Sequence, residues 1–191
     1  MPYAIEPHAS WLPLQRAAAA ETDPRCAALI REVARHMETE IKAQLDPLMA
    51  TLTAEPVYHF WGAGPSMVLQ GRDAVAGFYA GMFATGRQQF EVVVEKVIAN
   101  ADNVVTEGRV KQVHLGRDLK AQGVPRVGDV EVRDDDLWLA DAQLITVWPA
   151  DADGKLIGED IYFGQNPMQT LRRIDRIDLP PYFKLPPTTG E

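Results

Sequence analysis

Four apolar segments in the second half of the chain constrain the fold more than any other feature. They run from Phe90 to Ala99, Val104 to Leu115, Leu137 to Trp148 and Leu156 to Gly164. Their β-branched and aromatic residues are typical of strands, and the short polar stretches that separate the first pair and the last pair predict hairpins. We therefore expect a meander of antiparallel strands in this half of the chain.

The residues before this meander carry helical signals. Asp23 followed by Pro24 is typical of a helix start, because Asp caps free N–H groups and Pro is tolerated in the first turn. A second helix is predicted over residues 72–85. An apolar stripe at helical spacing follows Pro24 and comprises Cys26, Leu29, Ile30, Val33, Met37, Ile41 and Leu45. Helices followed by a meander predict an α+β fold, a cone-shaped curved antiparallel sheet wrapped around the long N-terminal helix with additional helices.

The length of the chain limits the number of domains. A chain of 191 residues with 46% apolar residues suffices for one well-filled core and is short for two. We expect an N-terminal extension over 1–23, a single domain over 24–176 and a Pro-rich arm over 177–191. Residues 167–176 are predicted to be helical, and the polar segment 116–136 is predicted to be an excursion at the mouth of the cone.

Composition excludes several classes of partner. The formal net charge of −8 argues against nucleic acid, because binding phosphates requires a basic surface. No segment approaches the ~20 consecutive apolar residues that span a membrane. One cysteine, Cys26, cannot form an intrachain disulfide, and residues 1–10 lack a secretory signal pattern. A cytoplasmic location is therefore expected.

No metal or cofactor is predicted. The four histidines have no zinc-binding spacing. The segment Asp151–Gly154 resembles the start of a calcium loop but lacks the later ligands, so it is interpreted as a hairpin turn. A nucleotide-binding glycine loop is also missing from the sequence.

An aromatic strand followed by a helix marks a candidate pocket. The run from Glu55 to Gly62 is punctuated by Pro56 and Gly62 as a buried strand would be. In the helix that follows, apolar residues recur at helical spacing and form one face. The strand and the helix bring together Tyr58 or His59, Trp61, Phe78, Tyr79 and Met82. These side chains form either the wall of a ligand cavity or ordinary core.

Three motifs in this order resemble the nuclear transport factor 2-like superfamily, which includes SnoaL-like and ketosteroid isomerase-like proteins. They are Leu45–Ala50, Gly71–Val75 leading to Phe78 and Tyr79, and Asp153–Glu159 with its Asp-Gly-Lys turn. The resemblance covers roughly residues 25–175. It implies a cystatin-like cone, a homodimer and cofactor-free chemistry, although the superfamily contains both enzymes and non-enzymes.

The resemblance also implies positions for site residues. The hydrogen-bond donor on the first helix falls at His36, and the proton-transferring carboxylate on the first strand falls at Phe60, which transfers no proton. A shift of one residue would place His59 there instead. The second oxyanion donor falls near Gln143. On the last strand Glu159 is expected to face inward nearest the mouth, followed by Ile161 and Phe163.

Two functional hypotheses follow. The first is a SnoaL-like isomerase, dehydratase, cyclase or hydrolase that acts on a small apolar molecule. Its catalytic candidates are His36, Tyr79, Gln143, Glu159 and His59, and its binding candidates are Tyr58, Phe60, Trp61, Phe78, Met82, Ile161 and Phe163. The second is a non-catalytic ligand-binding or dimerisation module, in which His36 is bonded to Glu40 or a strand carbonyl and Tyr79 belongs to the core or to a dimer contact.

Overall fold

The fold is described from a computed structural model, which describes residues 3–185. The helices are α1 (Leu12–Ala20), α2 (Pro24–Ile41), α3 (Leu45–Met49), α4 (Arg72–Ala84) and α5 (Gly116–Ala121). The strands are β1 (Leu52–Trp61), β2 (Met67–Gln70), β3 (Glu91–Ala99), β4 (Asn103–Leu115), β5 (Arg126–Val127), β6 (Val130–Glu131), β7 (Leu137–Pro149), β8 (Leu156–Phe163) and β9 (Arg172–Ile174). Short 3₁₀ turns occupy Pro7–Ala9, Pro167–Gln169 and Arg176–Asp178.

The long helix α2 forms where the capping signal predicts it. The Asp23 carboxylate accepts hydrogen bonds from the backbone N–H groups of Arg25 and Cys26, which satisfies donors at the free helix end. The apolar stripe of the helix is buried, with Leu29 and Val33 fully inaccessible to solvent. Its burial against the sheet fixes which side chains of α2 face the interior.

The main sheet runs in the order β2-β1-β8-β7-β4-β3, and β9 pairs with β7. The β1–β8 pair is parallel, whereas the other pairs of this sheet are antiparallel. Register shifts in the β1–β8 and β3–β4 pairs mark irregularities that bend strands. The result is a curved, unclosed sheet with helices against its concave face, so the predicted α+β fold class is confirmed.

A close backbone approach aligns β1 with β8. A Cβ atom on Gly158 would lie 1.7 Å from the carbonyl oxygen of Val57, so a larger residue does not fit there. The next positions pair Tyr58 with Glu159. Gly158 therefore allows the two strands to bring these two side chains to the same face of the sheet.

Both ends of the described chain cover part of the outer sheet face. Ile5 from the N-terminal segment and Leu179 and Phe183 from the C-terminal segment join a buried apolar cluster with residues of β4 and β7. The two segments are also linked directly, because the Ala4 N–H donates to the Asp178 carbonyl at 2.8 Å. Pro186 and Pro187 of the predicted arm lie outside the described residues.

One local expectation is wrong, and the structure adds detail at two other places. Residues 167–176 are not helical: a 3₁₀ turn begins at Pro167, and Arg172–Ile174 forms β9 because it can extend the sheet beside β7. The structure also contains β2, a strand paired with β1 that the sequence pattern does not predict. The 116–136 excursion contains α5 and a small hairpin of β5 and β6.

The helices have one further property that bears on partners. Within residues 3–185, none of them is both long enough and apolar enough to cross a membrane.

Candidate active site

A cavity of about 440 Å³ lies between α2, α4 and the inner face of the sheet. This volume is in the range of small-molecule sites in proteins. Most of its wall is apolar and includes Met37, Phe60, Phe78, Met82, Phe90, Val92, Val110, Leu144, Trp148, Ile161 and Phe163. Three of its polar residues, Tyr58, Tyr79 and Glu159, form one buried end, called the floor here.

The floor carries a compact hydrogen-bonding cluster. The Tyr79 hydroxyl lies 3.0 Å from each of three atoms: the Tyr58 hydroxyl, Glu159 Oε1 and His36 Nε2. His36 Nε2 is in turn 3.2 Å from Glu159 Oε1 and 3.3 Å from the Tyr58 hydroxyl. Three different elements, α2, α4 and the β1–β8 pair, therefore converge on one polar point.

A threonine fixes the orientation of the His36 ring. The Thr51 hydroxyl donates its single proton to the Leu48 carbonyl at 2.6 Å, so it can only accept from His36 Nδ1, also at 2.6 Å. Nδ1 therefore carries a proton, and Nε2 is the nitrogen that faces Glu159.

His36 Nε2 and Glu159 Oε1 lie 3.2 Å apart, and a hydrogen bond between them requires a proton on one of the two atoms. A bare imidazole nitrogen and an ionised carboxylate oxygen both have only lone pairs to offer, and they would repel each other at this separation. A proton between them makes the pair neutral overall, whether it is counted as imidazole with carboxylic acid or imidazolium with carboxylate. Neutrality lowers the cost of burying the two side chains, which are 0% and 8% exposed.

Glu40 adds a second carboxyl group to the cavity. It lies one turn after His36 on α2, is buried, and lines the cavity with Glu159. Its side chain has no hydrogen bond or ion pair within the described part of the chain. Burial, followed by the charge of Glu159, raises the pKa of Glu40 well above its usual value and favours the protonated form.

The two tyrosines of the floor are fixed as hydrogen-bond donors. Burial and then the neighbouring Glu159 charge raise the pKa values of Tyr58 and Tyr79 well above the usual 10. Their hydroxyl groups therefore keep their protons. Tyr79 donates its single proton within the cluster, to Tyr58 or Glu159, whereas the Tyr58 hydroxyl can donate to an oxygen of a bound molecule.

The structure brings most predicted site residues to this cavity. Tyr58, Phe60, Phe78, Tyr79, Met82, Glu159, Ile161 and Phe163 line it. His36 belongs to the same cluster but lies behind Glu159 and is not part of the cavity wall. Its hydrogen bonds go to Thr51 and the floor residues and not to Glu40, the partner considered from sequence.

Three predicted residues lie on the opposite face of the sheet. Phe60 points inward, so its neighbours His59 and Trp61 point outward, where they stack with a 5.0 Å ring separation. Gln143 is exposed and contacts Glu107. On β7 every second side chain faces inward, and Leu144 is one of these inward residues, so its neighbour Gln143 faces outward. The expectation that these three side chains face the pocket is wrong.

The position predicted for Glu159 also differs in depth. It was expected nearest the mouth, but it is only 6% exposed and lies at the floor beside fully buried His36. Exposure rises along β8 toward Ile161 and Phe163, so the strand runs from the floor to the mouth.

Sequence reasoning missed Glu40 as a cavity residue. It was considered only as a partner for His36. The signal was present, because Val33, Met37 and Glu40 follow one another at i, i+4 and i+7 on the buried face of α2. An acidic residue on an apolar stripe is a candidate for function.

A helix against a bent sheet, with a polar cluster at the floor of an apolar cavity, defines a class of small α+β proteins built around an internal pocket. The chain belongs to the SnoaL-like domain family, because the family model matches residues 33–141. A comparison with functionally curated proteins gives no match.

Solved structures agree with this family assignment at the level of the fold. A protein from Jannaschia sp. CCS1, assigned as a SnoaL-like polyketide cyclase, is 22% identical, with 75% of this chain and 90% of that chain covered and a TM-score of 0.54. An NTF2-like protein from Anabaena variabilis is 10% identical, with 78% and 96% covered and a TM-score of 0.54. An LEH-like epoxide hydrolase from M. tuberculosis is 20% identical, with 72% and 84% covered and a TM-score of 0.51.

Proposed function

We propose that this protein is a cofactor-free acid–base enzyme that isomerises, dehydrates, cyclises or hydrolyses a small, mainly apolar molecule. The observation that carries the proposal is the presence of two buried carboxyl groups, Glu40 and Glu159, in one apolar cavity. Their surroundings differ: Glu159 is hydrogen-bonded to the floor cluster, whereas Glu40 has no such partner. Two titratable groups with different surroundings are suited to opposite roles in proton transfer.

Glu159 is the base in this proposal. It accepts a proton from the substrate, or from a water or hydroxyl that attacks the substrate, while His36 stabilises the carboxylate from behind. His36 acts as a positioning residue, because it touches Glu159 and does not reach the cavity. The Thr51 contact keeps its Nε2 directed at Glu159.

Glu40 is the acid. Its protonated carboxyl donates to an oxygen of the substrate, such as a carbonyl, epoxide or departing hydroxyl, as Glu159 removes a proton elsewhere. The pair thus moves one proton in and one proton out without a change in its total charge. The Tyr58 hydroxyl donates a hydrogen bond to developing negative charge, and Tyr79, which donates within the cluster, holds Tyr58 and Glu159 in place.

Epoxides and cyclisable ketones are the first substrates to test. Structural neighbours include proteins described as an epoxide hydrolase and a polyketide cyclase, and both reactions need simultaneous acid and base. Enones and lactones are included because their carbonyl oxygen presents the same requirement.

Turnover of a panel of epoxides, cyclisable ketones, enones and lactones by wild type, Glu159→Gln and Glu40→Gln tests the proposal. We expect wild type to convert one class and both variants to lose about 10²-fold or more in kcat, the usual contribution of a general acid or base. Thermal-shift measurements should show that both variants still bind the converted compound. His59→Gln, on the outer face, is the matched control and should retain the wild-type rate.

Two results would contradict acid–base catalysis at this site. One is wild-type kcat in Glu159→Gln. The other is strong thermal stabilisation by a panel compound without any conversion, which favours the alternative of a non-catalytic binding module.

A further inference from the structure

A second cavity of about 510 Å³ adjoins the first. Five residues line both cavities: Phe78, Met82, Gln112, Gln122 and Met168. Because the same side chains form the boundary, the two spaces are neighbouring chambers of one elongated site. The second chamber is bounded by the end of α4, by β4 and by α5, at the side away from Glu159.

His114 is the chemically unusual wall residue of the second chamber. It lies on β4 and lines the chamber, and its Nε2 is buried without a hydrogen-bond partner in residues 3–185. Burial, and then the charge of Arg87, lowers its pKa to about 4, against a smaller opposing effect of Asp118. The imidazole is therefore neutral near pH 7, and a neutral imidazole both donates and accepts hydrogen bonds.

The neighbouring groups define what this chamber accepts. One N–H group of the Gln112 amide donates to the Arg87 carbonyl at 3.2 Å, and the amide oxygen can accept a hydrogen bond from a ligand. Asp118 supplies carboxylate oxygens, and Gln122 supplies a further amide. An anionic group would face Asp118 and a cationic group would face Arg87, so a neutral group that donates hydrogen bonds fits best.

We propose that the second chamber is a subsite for the hydroxyl-bearing end of an elongated ligand, recognised by His114 with Gln112 and Gln122. The apolar, reacting end of the same ligand occupies the first cavity beside Glu159. The assignment of the reacting end rests on the proposed function, whereas hydroxyl recognition in the second chamber does not.

The test compares two probes that differ by one hydroxyl group. Chalcone is an enone with two rings, and 4-hydroxychalcone carries a hydroxyl on the ring remote from the carbonyl. Titration calorimetry on wild type should give about threefold to tenfold tighter binding of 4-hydroxychalcone, the effect of one added hydrogen bond. His114→Leu should abolish this preference and leave the affinity for chalcone within about twofold.

Two further variants keep the result decisive. Gln122→Ala changes an exposed residue, so it should fold normally and reduce the preference even if His114→Leu is unstable. Glu159→Gln should retain the full preference, because it alters the other chamber. In wild type, a preference for 4-hydroxychalcone without turnover of any panel compound would overturn the proposed function while supporting the subsite.

The subsite is overturned by any of three results. These are equal affinity of wild type for the two chalcones, an unchanged preference in both His114→Leu and Gln122→Ala, and no measurable binding of either chalcone to wild type.

Discussion

Strand β8 supplies the carboxylates of two histidine–carboxylate pairs on opposite faces of the sheet, one with His36 of α2 and one with His59 of β1. Inside, His36 lies 3.2 Å from Glu159, and the side chains are 0% and 8% exposed. Outside, His59 lies 2.7 Å from Asp160, and the side chains are 34% and 31% exposed. Glu159 and Asp160 are consecutive residues, so strand alternation alone separates the two environments.

The comparison shows that the shorter contact distance does not identify the pair that contributes more to stability. Water screens and solvates the outer pair, so its formation contributes little to stability. The inner pair has no water to replace a lost partner, and removing one member leaves the other buried and unpaired. The longer contact is therefore the more consequential one for folding and for the cavity.

The largest expected difference is between His36→Ala and His59→Ala. His36→Ala should lower the free energy of unfolding by about 3–5 kcal/mol, because it leaves buried Glu159, Thr51 and the tyrosines without the hydrogen-bond partner they have in wild type. His59→Ala should cost about 0–1 kcal/mol. Urea unfolding of both variants at pH 7 measures the difference, and equal losses would show that the inner pair has no special energetic role.

A smaller difference is expected between Tyr79→Phe and Tyr162→Phe. The Tyr79 hydroxyl is buried in the floor cluster, and its removal should cost about 1–3 kcal/mol. Tyr162 is 42% exposed and stacks on Trp61 through its ring, which phenylalanine retains. The change there should stay within about 0.5 kcal/mol. Urea unfolding again provides the measurement, and a cost at Tyr162 that matches the cost at Tyr79 would contradict the distinction.

The smallest effect is a slope with pH. Burial, and then the charge of Glu159, raises the folded pKa of Glu40 well above its ordinary value of 4.5, so the folded state binds more protons than the unfolded state above that pH. Stability should therefore fall as pH rises from about 4.5 through the folded pKa, by at most about 1.4 kcal/mol per pH unit. The difference in unfolding free energy between Glu40→Gln and wild type should follow this slope.

Glu38→Gln is the matched control for that slope. Glu38 lies on the same helix but is partly exposed and paired with Lys42. Its difference curve should be nearly flat over the same pH range. A flat curve for Glu40→Gln as well would show that Glu40 ionises freely and is not held in its protonated form.

The order of helices and strands was predictable because it depends on local signals. The Asp23 cap, the apolar stripe of α2 and the β-branched runs of β3, β4 and β7 each specify their own element without distant partners. For residues 167–176 the local signals gave the wrong prediction of a helix. Arg172–Ile174 forms a strand because it pairs with β7, which is distant in the sequence.

The site was less predictable, because it depends on register. On β1, aromatic residues or histidine occupy both faces from Tyr58 to Trp61, so the sequence does not reveal which face is inward. The inward face of β1 is decided by its pairing with β8, where Gly158 lies against Val57 and the register shifts nearby. The paired residues, such as His59 and Asp160, are 101 positions apart in the sequence, so no local pattern reveals this pairing. Gln143 was misplaced by the same one-residue ambiguity.

The outer face keeps one expectation open to experiment. The homodimer implied by the family resemblance stays a prediction. His59, Trp61 and Tyr162 form a stacked row on this face, and the variants described above at His59 and Tyr162 can be compared by sedimentation in the same preparations.

The joined chain ends have a consequence for synthesis of the protein. Ala4 bonds to Asp178, and the His8 ring stacks on the Tyr182 ring at 4.0 Å, so the N-terminal segment completes its contacts only when the last residues of the described chain are present. On the ribosome, Ile5 must wait until Leu179 and Phe183 have emerged before the outer cluster can close. Until then the apolar outer residues of β4 and β7 stay uncovered, and this interval is when the nascent chain most needs protection from aggregation.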